Sequence, residues 1–165
     1  MTSLLIDFGA SRIKSIIYNI GQSEYINMCS TAGPAQYGMN KVKLSFFYDA
    51  LQEHIKFHKK YIDQVDAIYL CTEMHGYALV QEDNNFIDDF YYSWRSNESI
   101  NVKNEEVALF PSKDFKSITG MLPRPGLPVF SLLKHKNFNK KAIFKTLPEI
   151  IIDLNGKSNG KTSLS

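Results

Sequence analysis

Leu4-Leu5-Ile6-Asp7-Phe8-Gly9-Ala10-Ser11-Arg12-Ile13-Lys14-Ser15-Ile16-Ile17-Tyr18-Asn19-Ile20 is the stretch on which the reading of this chain turns. A short apolar run over residues 4–6 stops at Asp7-Phe8-Gly9, a turn signal, and an Ile-rich, roughly alternating run follows from Arg12 to Ile20. Gly21-Gln22-Ser23 marks a second turn, and Glu24–Thr31 reads as a third extended segment. Successive strands joined by short connections predict an antiparallel meander.

Beyond it the period changes. Ala32–Asn40 holds Gly33, Pro34 and Gly38 and reads as a loop. Leu44, Phe47, Tyr48, Leu51, Ile55 and Ile62 fall at helical spacing and predict a helix over Lys41–Tyr61. Val65–Cys71 reads as a buried strand, and Tyr77–Val80 and Phe86–Trp94 as two more, separated by the polar Glu82-Asp83-Asn84-Asn85 turn. A short helix is expected over Val129–Lys136, and Ile143, Leu147, Ile150, Ile151 and Leu154 form a further apolar stripe, with Pro148 suited to a first turn and Gly156 to a stop. Three strands, a helix and a strand is the element order of a ribonuclease-H-like half-domain. The expected class is therefore α/β, a mixed sheet with antiparallel first three strands flanked by helices.

Composition narrows the function classes. The 165 residues are 44% hydrophobic, enough to fill one core. No apolar run approaches the ~18 residues of a membrane span, and the opening Met1-Thr2-Ser3-Leu4 has no basic leader. Cys29 and Cys71 are far apart and suit two reduced thiols in a cytoplasmic protein better than a disulfide framework. The net charge of +2 is uneven, −4 over residues 1–100 and +6 over 101–165. The densest basic stretch, Lys134–Lys145, lacks the interleaved aromatics of a nucleic-acid groove and reads as a solvated face, so no nucleic-acid partner is expected. A homodimer is left open.

Three segments could carry chemistry. Asp7 at a strand end can orient Mg²⁺ or its waters; Gly9 lets backbone amides approach a phosphate, Ser11 adds a hydroxyl and Lys14 a charge. Read alone, the same residues make an ordinary hairpin. Glu73-Met74-His75-Gly76 follows the Val65–Cys71 strand, where His75 could bond a hydroxyl and Gly76 let the chain pass close by, or the segment is a plain turn. Tyr92-Ser93-Trp94-Arg95-Ser96-Asn97-Glu98 sets the single Trp beside an Arg, a combination that suits the apolar face and polar rim of a sugar, or an anchoring Trp with a surface Arg.

Taken together, these segments resemble the N-terminal domain of the FGGY carbohydrate kinases. Asp7-Phe8-Gly9-Ala10-Ser11 with Lys14 is similar to that family's Asp-x-Gly-Thr-Ser-x-x-Lys phosphate hairpin. Glu73-Met74-His75-Gly76 is similar to its Gln-Met-His-Gly segment, typical of xylulokinase-like members, and Ser93-Trp94-Arg95 to the start of Trp-x-Asp-x-Arg. Thr119-Gly120 with Leu127-Pro128 and Leu132-Leu133, then Thr146-Leu147-Pro148-Glu149 with Leu154-Asn155-Gly156, continue the likeness in order along nearly the whole chain. Ser96 and Glu98 stand where the family has Asp and Arg, and Ser131 where it has Lys; the missing Asp belongs to sugar recognition in that family.

The resemblance implies an actin-like ATPase domain that is incomplete, residues 1–165 being the N-terminal part of a sugar-kinase domain with the second domain absent. It implies transfer of the γ-phosphoryl group of ATP to a sugar or polyol hydroxyl, with ATP and Mg²⁺ as cofactors. Asp7 would orient metal and phosphate; Gly9, Ser11 and Lys14 would line the phosphate hairpin; Met74, His75, Gly76, Trp94 and Arg95 would line the sugar pocket. The family's catalytic base lies beyond the matched segments, so the 165-residue chain alone is expected to be inactive.

Two other functions compete. A ribonuclease-H-type nuclease would use Asp7, Glu53 and Glu73 as a two-metal carboxylate set. A non-catalytic, degenerate kinase-like module would bind a sugar or a protein, as the departures at Ser96, Glu98 and Ser131 suggest. Three further patterns lead nowhere. Gly156-Lys157-Ser158-Asn159-Gly160-Lys161-Thr162 has three residues between its glycines where a Walker A loop needs four. His54 and His58 have no third ligand at suitable spacing and read as one part-buried and one exposed histidine. Asp88-Asp89 reads as a solvent-facing feature of an edge strand.

Overall fold

Leu4, Ile6 and Phe8 are fully buried while Leu5 and Asp7 face the other way, the period of two that makes Thr2–Phe8 a strand, β1. Ile13, Ser15 and Ile17 do the same on β2 (Arg12–Asn19). The computed structural model describes residues 1–96, 100–134 and 141–154. β2 runs antiparallel to β1 and to β3 (Glu24–Ala32), the latter pair shifting register between Ile17 and Tyr18. A single 3₁₀ turn, Pro34–Tyr37, leads to β4 (Lys41–Lys43) and helix α1 (Leu44–Phe57). After the short α2 (Lys59–Ile62) the chain returns as β5 (Ala67–Thr72), parallel to β1. The sheet order is β3-β2-β1-β5, a mixed sheet with helices packed on one face.

That packed face is the main core. Leu4, Ile6, Phe8, Ile13 and Ile17 meet Phe47 and Leu51 of α1 and Leu147, Ile150 and Ile151 of α6 (Leu147–Leu154). Thr146 caps α6: its backbone N–H and its hydroxyl both donate to Glu149, at 2.7 and 2.6 Å, and Pro148 occupies the first turn. The opposite face of the sheet presents Leu5, Tyr25, Met28 and Tyr69, all more than a third exposed.

Between these elements the chain builds small two-stranded ribbons and short helices. β4 pairs with β7 (Phe90–Tyr92), and β6 (Ala78–Val80) with β8 (Ile143–Lys145), all antiparallel. α3 (Asn104–Ala108), α4 (Ser112–Thr119) and α5 (Pro128–Lys134) join them; Phe110, Phe115 and Phe130 form their aromatic contact.

Several expectations are corrected. Lys41–Lys43 is strand, not helix, because it supplies the partner for β7. The long helix breaks at His58, so 59–62 is a separate turn. Val65–Cys71 is shorter and less buried than expected: β5 pairs only with β1 and leaves Ile68, Tyr69 and Cys71 exposed. Phe86–Trp94 is strand only over Phe90–Tyr92. Ile143 belongs to β8 rather than to the stripe of α6, since it pairs with Val80. Asp88 is not a free edge charge: it accepts from the Phe90 N–H at 3.3 Å and from the Tyr92 hydroxyl. The features read at 97–99, 135–140 and 155–165, including Glu98, Asn155-Gly156 and the near-Walker stretch, lie outside the described residues.

His54 and His58 are the sharpest correction. Both are wholly buried, and both reach the Ser15 hydroxyl, His54 Nδ1 at 2.6 Å and His58 Nε2 at 2.7 Å. His54 Nε2 lies 2.9 Å from Thr31 Oγ1. Ser15 has one proton, so one imidazole must accept from it and the other donate to it. The arrangement that strands no N–H has His58 Nε2–H donating to Ser15, Ser15 donating to His54 Nδ1, and His54 Nε2–H donating to Thr31. It leaves only His58 Nδ1 without a partner, as an acceptor. Burial lowers both histidine pKa values, opposed at His54 by the Glu53 carboxylate and reinforced at His58 by His54.

Candidate functional site

The carboxyl ends of the parallel pair β1 and β5 bring two of the three sequence segments together. Asp7 pairs with Cys71 and Phe8 with Thr72, and the Glu73 N–H donates to the Phe8 carbonyl at 3.1 Å. The hairpin tip after β1 and the Glu73–Gly76 loop after β5 therefore leave the sheet side by side, at the edge where open α/β sheets hold ligands.

Register also settles the side taken by Lys14. It stands directly opposite Asp7 across the β1–β2 pair, on the face away from the main core. The two side chains form no ion pair, and the half-buried Asp7 makes no hydrogen bond among the described residues. Asp7 Oδ2 lies 3.9 Å from where a Cβ of Gly9 would stand, so the carboxylate overhangs the tip. That same Cβ would be 2.8 Å from the Arg12 carbonyl, so the hairpin closes only with glycine there. Ser11 is exposed, while the Ala10 and Ser11 carbonyls accept from the Ala35 and Gly33 amides at 2.8 and 2.9 Å. The following loop thus buttresses the tip from below and leaves its polar side chains outward.

The second half of the site is a cavity of about 510 Å³ lined by Glu73, Met74, His75, Trp94, Arg124 and Gly126, among others. Its volume lies in the range of small-ligand sites. Met74 and Trp94 are largely exposed, at 72% and 41%. His75 adopts a left-handed backbone, φ 66°, a conformation that costs of order 1–3 kcal/mol for a residue with a side chain and clusters at ligand sites. Gly76 makes the turn possible from beneath: a Cβ there would be 2.0 Å from the Tyr91 hydroxyl oxygen. Gly76 is buried and so supports the cavity rather than lining it. Arg95 is not in the lining either; its guanidinium stacks 5.9 Å from the Trp94 ring centroid.

Glu73 turns inward. Burial pushes its carboxyl up, and the Ser93 and Tyr91 hydroxyls and the Arg95 charge oppose this. Its Oε2 and the Tyr91 hydroxyl are buried at geometry short of a hydrogen bond. Tyr91 is itself pushed up, by burial first and then by Glu73. Ser96, where the resemblance has Asp, is buried at 1%, and Ser131 spends its hydroxyl on the Pro128 carbonyl at 3.1 Å. The three carboxylates of the nuclease reading are not gathered: among the described residues no three His, Cys, Asp or Glu side chains form a metal-binding group. Arg124 is the residue that sequence reasoning missed. Its only signal was its place between two prolines.

No protein-family model and no curated protein matches this chain. Solved structures do. Xylulose kinase from Bifidobacterium adolescentis superposes with a TM-score of 0.72 at 15% identity, over 98% of this chain and 36% of that one. The ligand-bound xylulose kinase from Lactobacillus acidophilus gives 0.71 at 20% identity, over 92% and 32%. Glycerol kinase from Plasmodium falciparum, solved with ADP, gives 0.64 at 13% identity, over 92% and 33%. The chain has the fold of these sugar kinases. It spans about a third of their length. The expected α/β class with a mixed sheet and helices is thus found, the described helices covering one face of the sheet.

Proposed function

We propose that residues 1–165 are the N-terminal part of a carbohydrate kinase that moves the γ-phosphoryl group of ATP to a sugar or polyol hydroxyl, with a second domain supplied by polypeptide outside this sequence. The observation that carries the reading is the adjacency of the Asp7 hairpin and the His75–Trp94 cavity at one end of a sugar-kinase sheet.

The hairpin suits a nucleotide's phosphates and a magnesium ion by its donor set: a half-buried carboxylate with no hydrogen bond among the described residues, a glycine tip, an exposed Ser11 hydroxyl and Lys14 on the same face. Asp7 would hold the metal's waters, while Lys14 and Ser11 would meet phosphate oxygens. Bound MgATP supplies the phosphoryl group. Across the edge, Trp94 would cover the C–H face of a sugar and His75 would bond a hydroxyl. The Glu73 carboxyl, which burial pushes up, lies in the same lining and would accept from a further hydroxyl. Phosphoryl transfer needs positioning and charge stabilisation more than covalent help, so this half of a clamp binds and the missing half completes turnover. The proposed location is cytoplasmic, consistent with free Cys29 and Cys71; among the described residues no helix is long and apolar enough to cross a membrane.

Calorimetric titration of ATP with and without Mg²⁺ tests this. The wild-type chain should bind more tightly with Mg²⁺, and Asp7→Asn should lose that dependence while Ser30→Ala keeps it. Equal Mg²⁺ dependence in Asp7→Asn and wild type would overturn the assignment of Asp7.

A further inference from the structure

We infer that the cavity takes a sugar acid, and that Arg124 reads its carboxylate. The inference rests on the sugar-site reading of the same cavity and names the class of sugar.

Arg124 is the cationic group in the cavity lining. It lies on Pro123-Arg124-Pro125-Gly126, a strap stiffened from both sides. Each proline fixes its own φ, and Pro125 disfavours helical backbone at Arg124, so the backbone of the strap has little freedom to lose. The strap is anchored beyond. Gly126 lies under the Trp94 indole, 3.9 Å from where its Cβ would stand to Cε3. Leu127 is buried, and its carbonyl accepts from the Phe130 amide at 3.2 Å at the start of α5.

The guanidinium has no ion pair or hydrogen bond among the described residues. The carboxyl in the same lining does not neutralise it. Glu73 points inward toward Ser93, Tyr91 and Arg95, and the charge it feels is that of Arg95. Among the described residues the cavity therefore carries one uncompensated positive charge beside an aromatic face and a strained His75. A planar fork of donors matches a carboxylate in a bidentate pair. A phosphate of nearly two charges would call for further donors; the lining offers no lysine, and α5, which starts beside Leu127, opens on Pro128, whose nitrogen has no proton to donate. A sugar whose ring or chain covers Trp94, whose hydroxyl meets His75 and whose carboxylate reaches Arg124 uses the aromatic face, the imidazole and the guanidinium of the lining together.

The test is calorimetric titration of the chain with D-gluconate, D-xylulose and D-ribose 5-phosphate, in wild type, Arg124→Gln, Arg124→Lys and Trp94→Ala. Unfolding midpoints of all four establish that each is folded. Gluconate should bind wild type at least tenfold more tightly than xylulose. Arg124→Gln should abolish that preference, and Arg124→Lys should restore only part of it, since an ammonium makes no bidentate pair. Equal or tighter binding of xylulose to wild type, or a gluconate affinity changed less than twofold by Arg124→Gln, overturns the sugar-acid inference. In that case xylulose binding lost in Trp94→Ala leaves the sugar site standing. Tightest binding of ribose 5-phosphate shows that the group read is a phosphate and rejects the carboxylate. Binding of none of the three overturns both the inference and the sugar site.

Discussion

The molecule contains two histidine neighbourhoods built on opposite logic. His54 and His58 sit inside the sheet–helix core with no exposed surface, and the Ser15 and Thr31 hydroxyls answer three of their four ring nitrogens. His75 lines a cavity on a strained backbone, beside an exposed Trp94 and an Arg124 that pairs with none of the described residues. The first arrangement has spent its hydrogen-bonding capacity on the fold; the second has kept it available. Identity of residue type says little about role. What separates the two is whether the polar atoms are already satisfied.

If that contrast is right, damage beneath the cavity should be the most severe. Gly76→Ala places a methyl 2.0 Å from the Tyr91 hydroxyl oxygen, and the ring carbon behind it is at 2.3 Å, so removing the hydroxyl does not clear the space. The loss should lie at the top of the ~1–3 kcal/mol range for overpacking, or above it. Tyr91→Phe alone should cost little, because that hydroxyl is buried without a hydrogen bond. Urea midpoints of the two variants check both statements; a mild Gly76→Ala would mean that the loop is free to move away.

The core cluster should respond next. Ser15→Ala removes the one hydroxyl that both imidazoles use and should cost about 2 kcal/mol, the penalty for stranding buried polar groups. Ser3→Ala is the matched control: Ser3 is also buried on the sheet, yet its Oγ has no partner among the described residues, so the change should be neutral or mildly stabilising. Equal losses at both positions would show that the network contributes nothing beyond burial.

The same cluster has a pH signature. His54 and His58 are held below the ordinary histidine value of 6.5 in the folded state. A folded pKa below the unfolded one means that the unfolded chain binds protons first. Stability is therefore full above about 6.5 and falls as pH drops through the lowered folded values. Unfolding midpoints between pH 7.5 and 5 should decline, and His58→Gln should flatten the decline. His75→Gln, outside the core, should leave the slope as it is.

These residues also show what the sequence could disclose. The alternation of Leu4, Ile6 and Phe8 against Asp7 is local, and it placed the opening strands and the hairpin correctly. The cavity residues Met74, His75 and Trp94 were legible because each sits just after a strand end. The burial of His54 was not, because its partner Ser15 lies 39 residues away on another element. Ile143 misled for a related reason: its spacing to Leu147 is helical, but pairing with Val80 decides its state. Arg124 belongs to no motif, and only the approach of its strap to Trp94 gives it a role.

The smallest effect on stability is expected at the residue with the largest proposed consequence. Asp7 is half-buried on the face of the sheet away from the core and accepts no hydrogen bond among the described residues. Its cross-strand neighbour Lys14 makes no ion pair with it, so neutralising the carboxylate strands no partner. Asp7→Asn preserves size and strand geometry and should shift stability by no more than about 0.5 kcal/mol, as for a surface substitution away from special features. Residues kept unsatisfied for a ligand should be cheap to lose from the fold and costly to lose from binding; those spent on the fold should show the reverse. A large loss of stability in Asp7→Asn would place Asp7 with Ser15, among the groups that hold the fold together.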